Sequence, residues 1–455
     1  MSLIVSVSGI RGTIGGYEGK NLTPLDLVKF ASAYSIWLKK YNTNPTIVIG
    51  RDGRLSGLMV SDLIVSTMIA MGVNVIDVGL STTPSVEMQV ILKNLDGGII
   101  LTASHNPREW NALKLLNNKG EFLSSEDGKE ILSIKEAENY NYSPIDNLGK
   151  VTIDSDSIRD HINSILNLEL VSVEKIRQRQ FHIIADVINS TGAIALPMLF
   201  ESLNCSYELI NEELSGNFAH NPEPLEANLV ELIEKSKSAD LGIAVDPDVD
   251  RLALVDENGN YFGEEYTLVC VSDYVLSKNS GNTVSNLSSS RALKDLTESY
   301  FQNYYASAVG EAHVVKKMKE VNAVIGGEGN GGVIYPPLHY GRDSLVGIAL
   351  LLSLMAESNL PLSKLKEKYS KYEMYKDKIQ LDENINYNNI VDLLTNEYVD
   401  ENIDLTDGMK IDFKDSWVQL RKSNTEPIIR IYSEAKSLEE AKKLVLDIKK
   451  IISKQ

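Results

Sequence analysis

"GGIILTASHNP", residues 97–107, runs from an unbroken apolar stretch into a polar loop that sets Ser104 beside His105. The opening run is short and apolar throughout, as a parallel strand buried on both faces should be. A hydrolytic Ser–His pair is the first reading of the loop. It fails on geometry, because neighbours on an extended chain point to opposite faces. If Ser104 is a nucleophile, its activation is expected from elsewhere in the chain.

Two further places end in the same way, "ADLGIAVDPDVDR" (239–251) and "VNAVIGGEGNGG" (321–332). Each of the three endings follows a similar pair of runs. The first run opens into a Ser/Gly/Asn loop and a helix: "TIVIGRDGRLSG" (46–57), "HIIADVINSTGA" (182–193) and "NTVSNLSSSRAL" (282–293). The second comes about 22–27 residues later, the length of a strand–helix–strand crossover: "VNVIDVG" (73–79), "CSYELIN" (205–211) and "YYASAVG" (304–310). The chain therefore reads as three related α/β domains with mostly parallel, mixed sheets. Ligands of open α/β sheets collect beyond the carboxyl ends of the strands, where the three odd loops fall.

The tail differs. "MKIDF" (409–413), "SWVQL" (416–420) and "PIIRIYSEA" (427–435) read as antiparallel strands with a turn at Lys414–Asp415. "SLEEAKKLVLDIKKII" (437–452) is amphipathic, with Leu438, Ala441, Leu444, Val445, Ile448 and Ile452 on one face. This is a smaller α+β domain, joined through the polar stretch "KYSKYEMYKDKI" that begins at Lys368. The expected boundaries are 1–150, 151–255, 256–367 and 368–455.

A hydrophobic fraction of 43% with 24% charged residues is ordinary for globular domains. The 63 acidic against 45 basic side chains, net −18, argue against a nucleic-acid or membrane-surface binder. Anionic small substrates stay open, since global charge is screened beyond ~8 Å and local arginines decide. Cys205 and Cys270 form neither a disulfide framework nor a zinc signature. With no secretory signal pattern and no long apolar run, a cytoplasmic location is expected.

"DPDVDR" (246–251) alternates Asp246, Asp248 and Asp250, so an extended segment aims all three to one side. Three such carboxylates repel unless a cation sits among them, and hard oxygen ligands suit Mg²⁺, Mn²⁺ or Ca²⁺. An EF-hand is excluded because Arg251 stands where its glycine is needed. An exposed acidic turn is the alternative. "GEGNGG" (327–332) puts Glu328 and Asn330 on a glycine-rich loop, a pair suited to sugar hydroxyls, or simply a flexible turn. "LRKSNTEP" (420–427) offers Arg421, Ser423, Asn424 and Thr425, with Arg430 just beyond, to grip a phosphate; a solvated turn is again the alternative. "SGIRGT" (8–13) and "GRDGR" (50–54) add Arg11, Arg51 and Arg54. Together these parts describe phosphoryl transfer on a sugar, with a helix dipole at Ser104 contributing only ~0.3–1 kcal/mol.

With "TASHNP", "DPDVDR", "GEGNGG" and "RKSNTEP" in this order, the chain resembles the α-D-phosphohexomutases over nearly its whole length. The resemblance implies four domains around one central cleft. It implies that Ser104 carries the phosphate of the resting enzyme, and that Asp246, Asp248 and Asp250 hold Mg²⁺ with an oxygen of that phosphoserine. Hexose 1-phosphate and 6-phosphate would interconvert through a hexose 1,6-bisphosphate, which also serves as activator; glucose and mannose are favoured, glucosamine the rival. Arg11, Lys114 and Arg251 would surround the transferring phosphate, and His105 would position the loop. Lys114 would act as general acid/base if its pKa is lowered, or simply neutralise charge. Glu328 and Asn330 would read the 3- and 4-hydroxyls, and Arg421, Ser423, Asn424 and Thr425 would hold the idle phosphate. Gly332 and Glu311 depart from the family, many of whose bacterial members carry histidines there. A homodimer is expected. A sugar-phosphate sensor without turnover and a metal-dependent phosphatase are the competing classes.

Overall fold

The computed structural model describes residues 2–6, 9–380, 387–422 and 428–453. Its first three sheets repeat one strand order. In the first, Thr46–Arg51, Asn74–Leu80, Gly97–Leu101 and Trp110–Leu116 lie side by side as fourth, third, first, second. His182–Asp186, Ser206–Ile210, Leu241–Val245 and Leu252–Asp256 reproduce that order in the second sheet. Thr283–Asn286, Tyr304–Ser307, Ile325–Glu328 and Gly332–Ile334 reproduce it in the third. Each time the first three strands are parallel and the fourth turns back antiparallel.

That topology places the chemistry. Helices cover the crossovers between the first three strands, as in Gly57–Ala70 and Thr83–Leu92 of the first unit. The connection from third to fourth strand is a short hairpin at the carboxyl end of a buried strand. Residues 102–109, 246–251 and 329–331 are those hairpins, so three loops far apart in sequence come from equivalent corners.

The first sheet is larger than its repeat, with seven strands. Val151–Ile153, expected to open the second unit, instead pairs in parallel with Asn74–Leu80 at the sheet edge. Its three residues are exposed, so no apolar pattern marks it. The stretch read as a junction near Lys368 holds the strand Glu373–Gln380, paired antiparallel with Ile428–Ala435. From Tyr375 to Gln380 half-buried residues alternate with exposed ones, as on an edge strand with a wet face. The fourth sheet has five antiparallel strands, and the turn at Lys414–Asp415 is closed by Phe413 N to Ser416 O at 2.8 Å. On Leu438–Ile452, Ala441, Val445, Ile448 and Ile452 are buried, whereas Leu438 in its first turn is exposed.

The second and third units share one core. The helix Ser344–Ser358 is apolar almost all round and packs against helices of both units, which is why it is buried on every side. Leu345, Ile348, Leu351 and Leu352 are each 0% exposed, worth ~2 kcal/mol apiece. The first and fourth units have cores of their own.

Candidate active site

Ser104 sits at φ +49° and is 6% exposed. The left-handed turn removes the extended geometry assumed for the pair, and Ser104 Oγ lies 3.5 Å from His105 Nδ1. Its shorter partner is in another unit: the hydroxyl donates to Asp246 Oδ2 at 2.5 Å. The backbone N–H of Ser104 donates to Thr102 Oγ1 at 2.8 Å, and Thr102 Oγ1 donates to Asp52 Oδ2 at 2.6 Å. No helix begins here; the loop passes through turns into the strand Trp110–Leu116, so the expected dipole contribution is absent.

Arg54 holds this loop. Its guanidinium, 1% exposed, donates to the carbonyls of Ser104, Asn106, Pro107 and Trp110 at 2.5–2.9 Å and pairs with Asp52 at 3.0 Å. It is therefore spent on backbone and on Asp52.

Asp246, Asp248 and Asp250 are fully buried with ligand oxygens within 4.8 Å of one another. They converge by a turn, not by strand alternation: Val249 has φ +62°, and Asp246 Oδ1 accepts from Asp250 N at 3.1 Å and Arg251 N at 3.2 Å. Burial, then Asp250 and Asp248, push the Asp246 carboxyl well above the usual carboxylate range. Burial acts the same way on Asp250, but Arg342, Lys114 and Arg251 outweigh it and hold Asp250 below that range. Among the described residues, nothing hydrogen-bonds to the buried Asp248 Oδ1 and Asp250 Oδ1. Orphaned carboxylate oxygens in a cluster of hard donors fit a divalent cation such as Mg²⁺.

Cations ring the cluster. Lys114 Nζ lies 2.7 Å from Asp248 Oδ2 and 3.3 Å from Asp250 Oδ2. Burial opposes its charge, but Asp248 and Asp250 outweigh burial and hold the ammonium above the usual lysine range. The lowered pKa that a general acid/base role required is not found. Arg251 reaches Asp246 at 3.9 Å and Glu223 at 3.4 Å. Burial, then Arg251 and Arg430, lower the pKa of Arg11, which sets three guanidinium groups from three units in one field. Among the described residues, buried Arg11 Nε and Arg251 Nε have no hydrogen-bond partner, although Arg251 Nε is the atom 3.9 Å from Asp246. Such a group of unpaired donors suits an anion. His105, half-buried, is pushed well below its usual pKa by burial and by Arg251, and is a neutral imidazole.

Arg251, Asn286, Glu328, Asn330, Lys376 and Arg421 line a cavity of about 290 Å³ between the second, third and fourth units. Glu328 Oε1 accepts from Asn286 Nδ2 at 2.8 Å and from Gly310 N at 3.0 Å. Asn330 Oδ1 accepts from Gly332 N at 3.3 Å. Arg421 pairs with Asp407 at 3.1 Å and stands opposite Arg430 across neighbouring strands. Ser423, Asn424 and Thr425 lie outside the described residues.

Sequence reasoning missed Arg342 and Thr83. Thr83 Oγ1 donates to Asp248 Oδ2 at 2.6 Å. Arg342 donates to Asp250 and to Glu328, and its signal was present: Arg342 and Asp343 are the only Asp, Glu, Lys or Arg between Val333 and Met355.

The chain is similar to known proteins over nearly its whole length. The chain matches the phosphoglucomutase/phosphomannomutase alpha/beta/alpha domains I, II and III over residues 3–141, 159–259 and 263–372. It matches the C-terminal domain of that family over 376–451. It is 37% identical to a phosphoglucomutase/phosphomannomutase of Thermococcus kodakarensis, covering 96% of this chain and 97% of that protein. It is 32% identical to a phosphoglucosamine/phosphogalactosamine mutase of Sulfurisphaera tokodaii, covering 99% of each. The crystal structure of a phosphoglucomutase/phosphomannomutase family protein of Burkholderia thailandensis shares the fold, with a TM-score of 0.84 at 24% identity over 98% of this chain and 97% of that one. The chain belongs to the phosphoglucomutase/phosphomannomutase family and is an isomerase of the phosphohexomutase type. Among the described residues no helix is long and apolar enough to cross a membrane.

Proposed function

We propose that this phosphohexomutase interconverts hexose 1-phosphates and 6-phosphates, with glucose and mannose favoured, through phosphate carried on Ser104 and a hexose 1,6-bisphosphate that also primes the enzyme. The observation that carries this reading is the buried hydrogen bond of 2.5 Å from Ser104 to Asp246, beside arginine donors that have no hydrogen-bond partner among the described residues.

In the forward step the bond from the serine oxygen to phosphorus breaks as a bond from phosphorus to the sugar's free hydroxyl oxygen forms. The hydroxyl proton ends on the serine oxygen. The bisphosphate reorients, and Ser104 takes the other phosphate by the reverse exchange. Asp246, Asp248 and Asp250 would hold Mg²⁺, which when bound would polarise a phosphoryl oxygen and offset developing charge. Arg11 and Arg251 flank the moving phosphate, Lys114 serves as a fixed cation, and His105 positions the loop. Glu328 and Asn330 read sugar hydroxyls, while Arg421 and Arg430, with Ser423, Asn424 and Thr425, hold the idle phosphate. Burial of Ser104 supports mutase over phosphatase, because water must be kept from the phosphoserine.

An amino-sugar phosphate is the second reading, favoured by the likeness to the Sulfurisphaera protein. Glucose, mannose and glucosamine differ at C2, away from the hydroxyls assigned to Glu328 and Asn330. Phosphorus NMR with each 1-phosphate, Mg²⁺ and a trace of glucose 1,6-bisphosphate tests both readings. The matching 6-phosphate should appear with wild type and not with Ser104→Ala, which should still bind sugar phosphate. Release of inorganic phosphate, or no reaction with any sugar, would reject the mutase.

A further inference from the structure

Arg342 is 7% exposed, and its three guanidinium nitrogens meet carboxylates from three separate segments. Nη2 donates to Asp250 Oδ2 at 2.7 Å, Nη1 to Glu328 Oε2 at 2.9 Å, and Nε to Glu311 Oε2 at 2.9 Å. Its aliphatic stem crosses the place where residue 332 would carry a side chain. A Cβ built on Gly332 would fall 2.3 Å from Arg342 Cδ. The glycine therefore leaves a channel for this arginine to reach from the start of one helix into the aspartate cluster.

The consequences for its partners differ from those of an ordinary buried ion pair. On Asp250 the Oδ2 atom is taken by Arg342 and Lys114, which leaves Oδ1 as the unpartnered oxygen. On Glu328 the Oε1 atom has two donors already and Oε2 has one. A carboxylate has about four lone-pair positions, so Oε2 keeps one for a ligand hydroxyl. One planar fork fixes both carboxylates at once, and a guanidinium does this where an ammonium cannot.

We propose that Arg342 is a positioning residue that ties Glu328 of the sugar loop to Asp250 of the cation cluster, so that cation binding and sugar-phosphate binding strengthen each other through one guanidinium. This rests on the function proposed above and adds a coupling path to it. Asp250 and Glu328 both accept from this one guanidinium, which is the link they share. Gly332 is the condition for that link.

The test measures binding rather than turnover. Affinities for Mn²⁺ and for glucose 6-phosphate, with glucosamine 6-phosphate in parallel, are taken by calorimetry, each ligand with and without the other. In wild type each ligand should tighten the other by about tenfold, within the usual range of coupling. In Arg342→Gln the coupling should fall to nearly none, while Mn²⁺ still binds, about 10- to 100-fold more weakly. Arg342→Lys should restore charge without restoring the coupling. If Arg342→Gln does not fold, Gly332→Ala displaces the same stem by one methyl group and should lower the coupling in the same direction. Uncoupled ligands in wild type, or undiminished coupling in a folded variant, overturn the inference alone. Failure of wild type to bind any hexose phosphate overturns the proposed function as well.

Discussion

Replacing Arg54 by lysine tests how the serine loop is held, independently of what the protein catalyses. The guanidinium donates to four carbonyls between Ser104 and Trp110 and pairs with Asp52, from a position 1% exposed. An ammonium keeps the charge, so Asp52 is not left alone in the interior, but it has three donors from one atom. At least two of the five contacts are lost. A hydrogen bond from a charged group contributes about 1.5–3 kcal/mol, and the freed carbonyls regain part of that from water. A net loss of about 2–3 kcal/mol is expected, confined to this loop, which is roughly 30- to 150-fold in its opening equilibrium. Hydrogen exchange followed by mass spectrometry reads it directly. Asn106 N donates to Ala103 O at 3.0 Å and Trp110 N to Pro107 O at 3.0 Å, so both amides should be slow in wild type. Peptides spanning 102–110 should exchange faster in Arg54→Lys, while peptides from the fourth unit stay unchanged. Equal protection of the loop in a folded variant would refute the argument.

Asp246→Asn is expected to cost little stability without metal, because burial and its two acidic neighbours already hold that carboxyl well above the usual range. The same change should weaken Mn²⁺ at least tenfold by calorimetry, and undiminished binding would move the cation elsewhere. A separate cluster predicts a pH effect: His339 lies 3.4 Å from both Glu87 and Asp343, and His161 is 2.9 Å from the same Asp343 oxygen. Burial opposes charge on His339, but Asp343 and Glu87 raise its pKa to about 10. Its stabilising share is present below the unfolded value near 6.5 and lost as pH rises through 10. Burial pushes Glu87 up to about 8, so its ionisation costs stability over the range above its unfolded 4.5. Urea unfolding should therefore show stability falling from pH 7 to 10; a flat profile would reject this. His339→Gln should lower stability at pH 7 by about 3–5 kcal/mol and flatten the slope.

The repeated unit was legible because parallel strands buried on both faces leave nearly continuous apolar runs, and because each hairpin loop breaks such a run with polar residues. The edge elements were not. Val151–Ile153 is exposed and three residues long, and Glu373–Gln380 hides its alternation under charge, so neither offers the signal that burial imprints. Within the site, residue types were readable and conformations were not. The three aspartates meet as expected, but through a turn at Val249 with φ +62°, and Ser104 reaches Asp246 from φ +49° rather than from an extended chain. Lys114 was open to two roles, general acid/base if its pKa were lowered or plain charge neutralisation; two aspartates from another unit hold it charged, and their proximity depends on how the units dock.

The same limit explains Gly332. As a letter, it reads as one more glycine in a flexible loop. In the fold it is required for space: the missing side chain is where Arg342 runs, ten positions later in the chain and rooted ahead of a different element. Glu311 has the same character, a carboxylate raised by burial and counterbalanced by Arg342. Gly332 and Glu311 each depart from an expectation when taken singly, and both fit one guanidinium placed among three carboxylates. Substitutions at 311, 332 and 342 should therefore behave as one set, with effects that fail to add, because residues sharing a buried partner are coupled where distant ones are not.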